Sequence, residues 1–383
     1  MRKILVLLTA VFPTVFAQGG FLPERLAKIP PRMQQFVDQG KTAGIVTLIA
    51  RHGEIVQLKA VGFQDRDKRI PMKTDSLFQI MSMSKPVTAV GIMILMEEGR
   101  LALVDPVEKH LPVFKGQLLA DGKRPARPIE IRDLLTHTSG IAPFPAGMEK
   151  TKWGHTLAEM VDSAAAQPLQ FDAGARWAYS NSGIATLGRI IEVVSGMPFD
   201  QFISTRILTP LGMKDTHYFL PAEKRSRLAM AYTDDNGVLK LADVNLYREG
   251  ATYPMPEGGL YSTATDMARF YQMMLNHGTL DKVRILSPAS IDVMTSVQTG
   301  DLKAGFAPGI GYGLAWGVVR DPAGMFRLNS IGTFGHGGAW RTYGWVDPAK
   351  DMVGVILQQR TNGGGDVADE INAFMAMTAS AIQ

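Results

Sequence analysis

Phe78-Gln79-Ile80-Met81-Ser82-Met83-Ser84-Lys85-Pro86 runs straight into Val87, Val90, Ile92, Ile94, Leu95 and Met96. The segment opened by Ser82 is apolar on nearly every side and too long for a strand, so it predicts a buried helix. Pro86 fits a first turn and Gly99 supplies the stop.

Upstream of this helix, Thr42 to Ala50 and Glu54 to Gly62 read as two strands joined by a hairpin turn at Arg51-His52-Gly53. Downstream, helical spacing dominates at residues 129–135, 157–166, 182–194, 199–207 and 264–275, with loops rich in Pro and Gly. Strand signals then return at residues 312–319, 330–335, 342–346 and 352–358. A loop at Thr361-Asn362-Gly363-Gly364-Gly365 leads into a last helix expected over 366–382. Strands, helices, strands, helix is the order of an α+β fold. One antiparallel sheet drawn from both chain ends (18–99 and 288–383) is flanked by terminal helices, and a mostly helical lobe (100–287) is inserted. A cleft between two such lobes is the expected site.

Residues 1–17 read as a signal peptide. Arg2 and Lys3 precede an apolar run from Ile4 to Phe12, too short to span a bilayer, and Val15-Phe16-Ala17 carries small residues at the −3 and −1 positions. Cleavage is expected between Ala17 and Gln18, leaving roughly 365 residues, more than one core usually holds. No later stretch is long and apolar enough for a membrane span. A periplasmic or secreted protein is the expectation. With no cysteine, neither a disulfide nor a lipidated cysteine is available. At 46% hydrophobic and 20% charged residues, the chain can bury a large core. Its net charge of +4 falls to +2 without Arg2 and Lys3, and there is no Lys/Arg block, so no nucleic-acid partner is indicated.

Three motifs carry chemistry. Ser82-x-x-Lys85 is the only Ser-x-x-Lys in the chain. Its i, i+3 spacing puts both side chains on one helix face, close enough for a neutral lysine to take the hydroxyl proton. Burial favours that neutral form, and the helix N-terminus favours negative charge developing at Ser82. The bland alternative is a capping serine beside a solvated lysine. Tyr179-Ser180-Asn181 is the only Tyr-x-Asn. Its phenol can relay a proton and its amide can hold substrate, the alternative being a turn tyrosine with an N-capping asparagine. His336-Gly337-Gly338, leading into Ala339, places glycines on a strand where a ligand can approach the backbone. The Ala339 N–H can then join the Ser82 N–H as an oxyanion hole; the alternative is an edge bulge with a surface histidine.

Other readings fail. No Gly-x-Ser-x-Gly elbow exists, and the seven histidines are not paired at ligand spacing, so no metal and no cofactor are expected. Gly309-Ile310-Gly311-Tyr312-Gly313 lacks the strand-turn-helix setting of a nucleotide loop. Thr136-His137-Thr138-Ser139-Gly140 reads as a helix ending.

Taken in order, Phe78–Pro86, Leu134-Leu135-Thr136-His137-Thr138-Ser139-Gly140, Tyr179-Ser180-Asn181-Ser182-Gly183 and Gly335-His336-Gly337-Gly338 resemble the serine beta-lactamase-like family. The nearest branches are class C beta-lactamases, family VIII carboxylesterases and D-alanyl-D-alanine carboxypeptidases. The resemblance covers nearly all of the mature chain. It implies the same two-lobe fold, with Ser82 as nucleophile, Lys85 as base, Tyr179 as proton relay and Asn181 as a substrate-side donor. One departure matters. The last motif is usually Lys-Thr-Gly or Lys-Ser-Gly, and His336-Gly337-Gly338 lacks both the permanent cation and the hydroxyl that grip a substrate carboxylate. Arg341, three residues on, is the remaining candidate anion anchor.

The expected function is a serine hydrolase working through an acyl-enzyme on small esters or amides, with carboxylesterase activity ahead of beta-lactamase or D-Ala-D-Ala carboxypeptidase activity. The competitor of another class is an envelope sensor that captures an acyl ligand without turnover. The acyl group, the leaving group and the oligomeric state are left open.

Overall fold

A computed structural model describes residues 18–322, 328–363 and 365–383. The leader expected at 1–17 lies outside the described residues.

The centre is one antiparallel sheet of eight strands. In chain order these are β1 (Gly44–Arg51), β2 (Glu54–Asp65), β3 (Ile70–Pro71), β4 (Ile310–Tyr312), β5 (Gly317–Val319), β6 (Phe334–Gly338), β7 (Thr342–Asp347) and β8 (Met352–Leu357). In space they run β4-β5-β6-β7-β8-β1-β2-β3, so β1 from the front of the chain pairs with β8 from its end. The β1–β2 turn is made by His52 and Gly53, both at positive φ, as the two-residue hairpin requires.

Strand side chains alternate between two apolar layers, which explains why β1 and β8 read as continuous hydrophobic runs. Ile45, Ile49, Trp345, Met352 and Ile356 face α1 (Ile29–Asp38) and the last helix, through Met33, Phe36, Ile371 and Phe374. Val46, Leu48, Val346, Val353, Val355 and Leu357 face the main core. There the helix Ala264–Leu275 lies on the sheet, with Met267, Phe270, Tyr271 and Met274 buried. That helix falls inside the stretch expected to form the helical lobe, yet it packs on β1, β7 and β8.

The segment opened by Ser82 starts as a 3₁₀ turn, Met81–Ser84, and continues as α2 (Lys85–Glu97). Every residue of α2 from Lys85 to Leu95 is buried, and it packs between the sheet-side core and the helices Asn181–Ser195 and Phe199–Ile203. Gly99 ends it at φ +70°.

Several element boundaries differ from the sequence reading. The strand expected at 312–319 is two strands with a turn at 313–316, where Ala315 adopts positive φ and its N–H donates to Leu135 O. The strand expected at 330–335 begins only at Phe334 and extends to Gly338. The last helix is Asp369–Ser380. The helix Phe199–Ile203 passes into a π turn, Ser204–Leu208. The flanking helix at the front of the chain, for which the sequence gives no range, is Ile29–Asp38, opened by Pro30 and Pro31.

Candidate active site

Ser82 Oγ accepts a hydrogen bond from Lys85 Nζ at 2.9 Å, and Lys85 is fully buried. The residue before the serine, Met81, sits at φ +51°, a strained conformation for a side-chain-bearing residue that costs about 1–3 kcal/mol. Its surroundings fix it there. Ile80 N donates to Leu260 O, Thr342 Oγ1 donates to Ile80 O, and Ser84 Oγ donates to Met81 O. The result is a half-buried Ser82 at the mouth of an otherwise sealed helix.

Gly338 is the strand-side half of this arrangement. A Cβ there would lie 2.3 Å from Ile80 O and 2.2 Å from Thr342 Oγ1. The sequence reading assigned such glycines to ligand approach. At Gly338 the space a Cβ would need is taken by Thr342 Oγ1 and Ile80 O, so the glycine also lets β6 dock on the turn that carries Ser82, while Gly337 and Gly338 line the cavity over the serine.

A cavity of about 360 Å³ opens over the serine, lined by Ser82, Tyr179, Phe306, His336, Gly337, Gly338, Ala339, Gly365 and Val367. Lys85 Nζ lies 4.8 Å from the centre of the Tyr179 ring. Tyr179 is held in an aromatic cluster, with ring centres 4.5 Å from His137 and 5.0 Å from Phe306. Asn181 is placed differently. It is the exposed first residue of the helix Asn181–Ser195 and lines a neighbouring cavity of about 300 Å³ that meets the Ser82 cavity at Tyr179. Ser180, accepting from Gly183 N, is the helix cap.

His336 is almost wholly buried, with Nε2 3.0 Å from Tyr312 Oη. Burial, reinforced by the nearby charge of Lys85, pushes its pKa down to about 3, so it is neutral at pH 7. Arg341 is committed elsewhere. Its guanidinium pairs with Glu370 at 2.9 Å, both side chains being buried, and also donates to Gly363 O. Among the described residues, the Ser82 cavity is lined by no lysine or arginine, and the one histidine in its wall, His336, is neutral.

Two parts of the site are given no role by the sequence. The stretch Pro256–Leu260 backs the catalytic turn: Lys85 Nζ donates to Glu257 O at 2.6 Å, Thr88 Oγ1 to Pro256 O and Leu260 N to Ser84 Oγ. Only the Gly258-Gly259 pair marked it; a Cβ on Gly259 would meet Pro254 O at 1.9 Å. His137 does follow a helix ending, Ile131–Leu135, but it also sits beneath Tyr179, and its Nδ1 accepts from Ser180 N at 3.2 Å. Burial holds its pKa well below the usual histidine range, with Lys85 adding to the effect.

An antiparallel sheet shared by both chain ends, with a Ser-x-x-Lys turn docked between it and a helical layer, defines the beta-lactamase/transpeptidase-like class of fold. The chain belongs to the beta-lactamase family, whose model matches residues 31–375. A Mycobacterium tuberculosis protein is 35% identical over 358 residues, 85% of this chain and 88% of its own. Esterase EstB of Burkholderia gladioli is 30% identical over 378 residues, 90% of this chain and 92% of the esterase. Among solved structures, EstCE1, described as a hydrolase with promiscuous acyltransferase activity, superposes with a TM-score of 0.81 at 27% identity, covering 93% of this chain and 98% of that one. The protein is thus placed among serine hydrolases that include esterases, penicillin-binding proteins and carboxypeptidases.

Proposed function

We propose that the protein is a carboxylesterase of the serine hydrolase type, acylated at Ser82. Lys85, 2.9 Å away, takes the Ser82 proton as Oγ attacks the ester carbonyl. The Ser82 and Ala339 amides hold the oxyanion, and Tyr179 protonates the leaving alcohol. Water then gives a proton to the deprotonated Tyr179 as it attacks the acyl carbonyl, the Ser82 Oγ–acyl bond breaks, and Lys85 returns its proton to Ser82 Oγ as the acid leaves. Asn181, at the edge of the adjoining cavity, contacts the part of the substrate that passes Tyr179.

The observation that carries the preference for esters is the chemistry of the cavity. Its wall bears Phe306, Val367, Tyr179 and a neutral His336, and among the described residues no cation that would hold a carboxylate. The similarity to EstB supports the same preference. Steady turnover of p-nitrophenyl butyrate by purified protein is the test. A single stoichiometric burst would replace the hydrolase with an acyl-capturing sensor.

From the N-terminal sequence we also propose that the protein is exported, with the leader removed after Ala17. N-terminal sequencing after export from a bacterial host should begin near Gln18; mature protein that retains Met1 would refute export.

A further inference from the structure

Glu257 is a buried carboxylate that the proposed chemistry does not use. Its side chain is held by Tyr253, whose hydroxyl is 2.9 Å from both carboxylate oxygens, and both residues are buried. Its backbone carbonyl is the oxygen to which Lys85 Nζ donates, so residue 257 stays beside the amine for as long as that bond lasts. The neighbouring bonds from Thr88 to Pro256 O and from Leu260 N to Ser84 pin the stretch on both sides.

A buried carboxylate is costly, and one phenol together with its own backbone N–H does not offset that cost. The group is tolerated either by sharing the positive charge of Lys85 or by holding a proton itself. In both cases the two residues hold protons in common.

The other ionisable groups facing the pair are accounted for. On the Lys85 side lie the Tyr179 ring and two neutral histidines, His137 and His336. On the Glu257 side lie Tyr253 and Arg248 of the same connection, Tyr218, and Lys152 from the turn Lys152–Gly154; Tyr253 in turn faces Glu149. Arg248 donates to Gly259 O and Gln79, and Lys152 pairs with Glu149 at 2.5 Å. Lys85 holds the backbone carbonyl of residue 257, and its charge acts on the carboxylate from there. Burial pushes the Glu257 carboxyl up, with the charge of Lys85 opposing.

We propose that Glu257 is a positioning residue that keeps a proton on the Lys85–Glu257 pair and so sets the pH below which Ser82 is not activated. The inference rests on the reading of Lys85 as the base for Ser82. An anion beside Lys85 favours the ammonium and raises the pH at which the free amine appears; removing the anion lowers it.

The test is the rate of fluorophosphonate attachment to Ser82, followed by intact mass from about pH 4 to about pH 9, a range that brackets carboxylate and histidine titration. It needs no choice between ester and beta-lactam substrates. In Glu257→Gln the acid limb should move at least about one pH unit lower. Glu257→Asp, which keeps the charge, should stay near the wild-type profile. Tyr253→Phe, which weakens the carboxylate form, should move the limb the same way as Glu257→Gln by a smaller amount. A Glu257→Gln protein that is slower at every pH with its limb in place would overturn the inference, as would Glu257→Asp moving as far as Glu257→Gln. If Glu257→Gln does not fold, an unmoved limb in Tyr253→Phe overturns it instead. Wild-type protein that takes no adduct at Ser82 at any pH would overturn the reading of Ser82 and the inference with it.

Discussion

Lys85 Nζ lies 2.9 Å from Ser82 Oγ because the two residues bracket a 3₁₀ turn rather than an α turn. In 3₁₀ geometry positions i and i+3 eclipse, so the amine is stacked directly on the hydroxyl. Ser82→Ala should therefore abolish turnover and fluorophosphonate labelling together. Lys85→Ala and Tyr179→Phe should each cost at least about 10²-fold in kcat, the scale of a lost acid–base group. Near-normal rates in both would remove the proposed proton path.

Substrate preference should follow His336. Wild-type kcat/KM for p-nitrophenyl butyrate should exceed that for benzylpenicillin, whose carboxylate finds no cation in the described cavity wall. A charge-assisted hydrogen bond supplied by His336→Lys is worth about 1.5–3 kcal/mol, so the gap should narrow by roughly one to two decades. A wild-type preference for benzylpenicillin would refute the ester reading.

Acid should loosen the site early. His336 and His137 are buried and neutral, with pKa values depressed by desolvation, to about 3 in His336. The unfolded chain binds these protons near pH 6.5 and the folded one does not, so their contribution is intact above that pH and is lost as pH falls towards 3. Each should cost up to about 1.4 kcal/mol per pH unit below 6.5. Urea unfolding at a series of pH values should show a shallower slope in His336→Gln. An identical slope would mean that His336 is already protonated in the folded protein.

Gly338→Ala places a methyl group 2.3 Å from Ile80 O. Overpacking of this kind costs about 1–3 kcal/mol, and here the strain falls on the turn that aims Ser82. Labelling of Ser82 should fall by more than the loss of folded protein at the assay temperature accounts for. Equal losses would mean that the contact serves stability alone.

Arg341 should matter for stability and not for substrate choice. Breaking its buried pair with Glu370 by Arg341→Ala should cost about 3–5 kcal/mol of unfolding free energy. The ratio of ester to benzylpenicillin kcat/KM should stay as in wild type. A selective loss against benzylpenicillin would make Arg341 an anion anchor after all.

The α+β class, the strand-helix-strand order and the Ser82–Lys85 turn were legible in the sequence because each depends on local spacing. Hydrophobic runs of strand length, an apolar segment too long to be a strand, and an i, i+3 pair are all short-range signals. The helix Ile29–Asp38 and the split of β4 from β5 were not. The first carries helical spacing at Ile29, Met33 and Phe36 but is short and opens on two prolines that read as loop, and the second depends on a turn tied to Leu135 from a distant part of the chain.

Sequence alone determined that a serine and a lysine share one turn at the head of a buried helix, and that His336 stands where the family it resembles usually carries a lysine. Tertiary structure decided what those facts mean for the site. Arg341, three residues beyond Gly338, takes positive φ in the turn between β6 and β7 and its side chain lies on Glu370. Asn181 starts a helix beside the Ser82 cavity instead of lining it. The backbone carbonyl of Glu257, 172 positions from Lys85 in the chain, meets its amine because a Gly-Gly stretch lies flat against the catalytic turn. Side-chain direction and long-range contact follow from how the layers pack, and the spacing of residues within any one segment does not encode that packing.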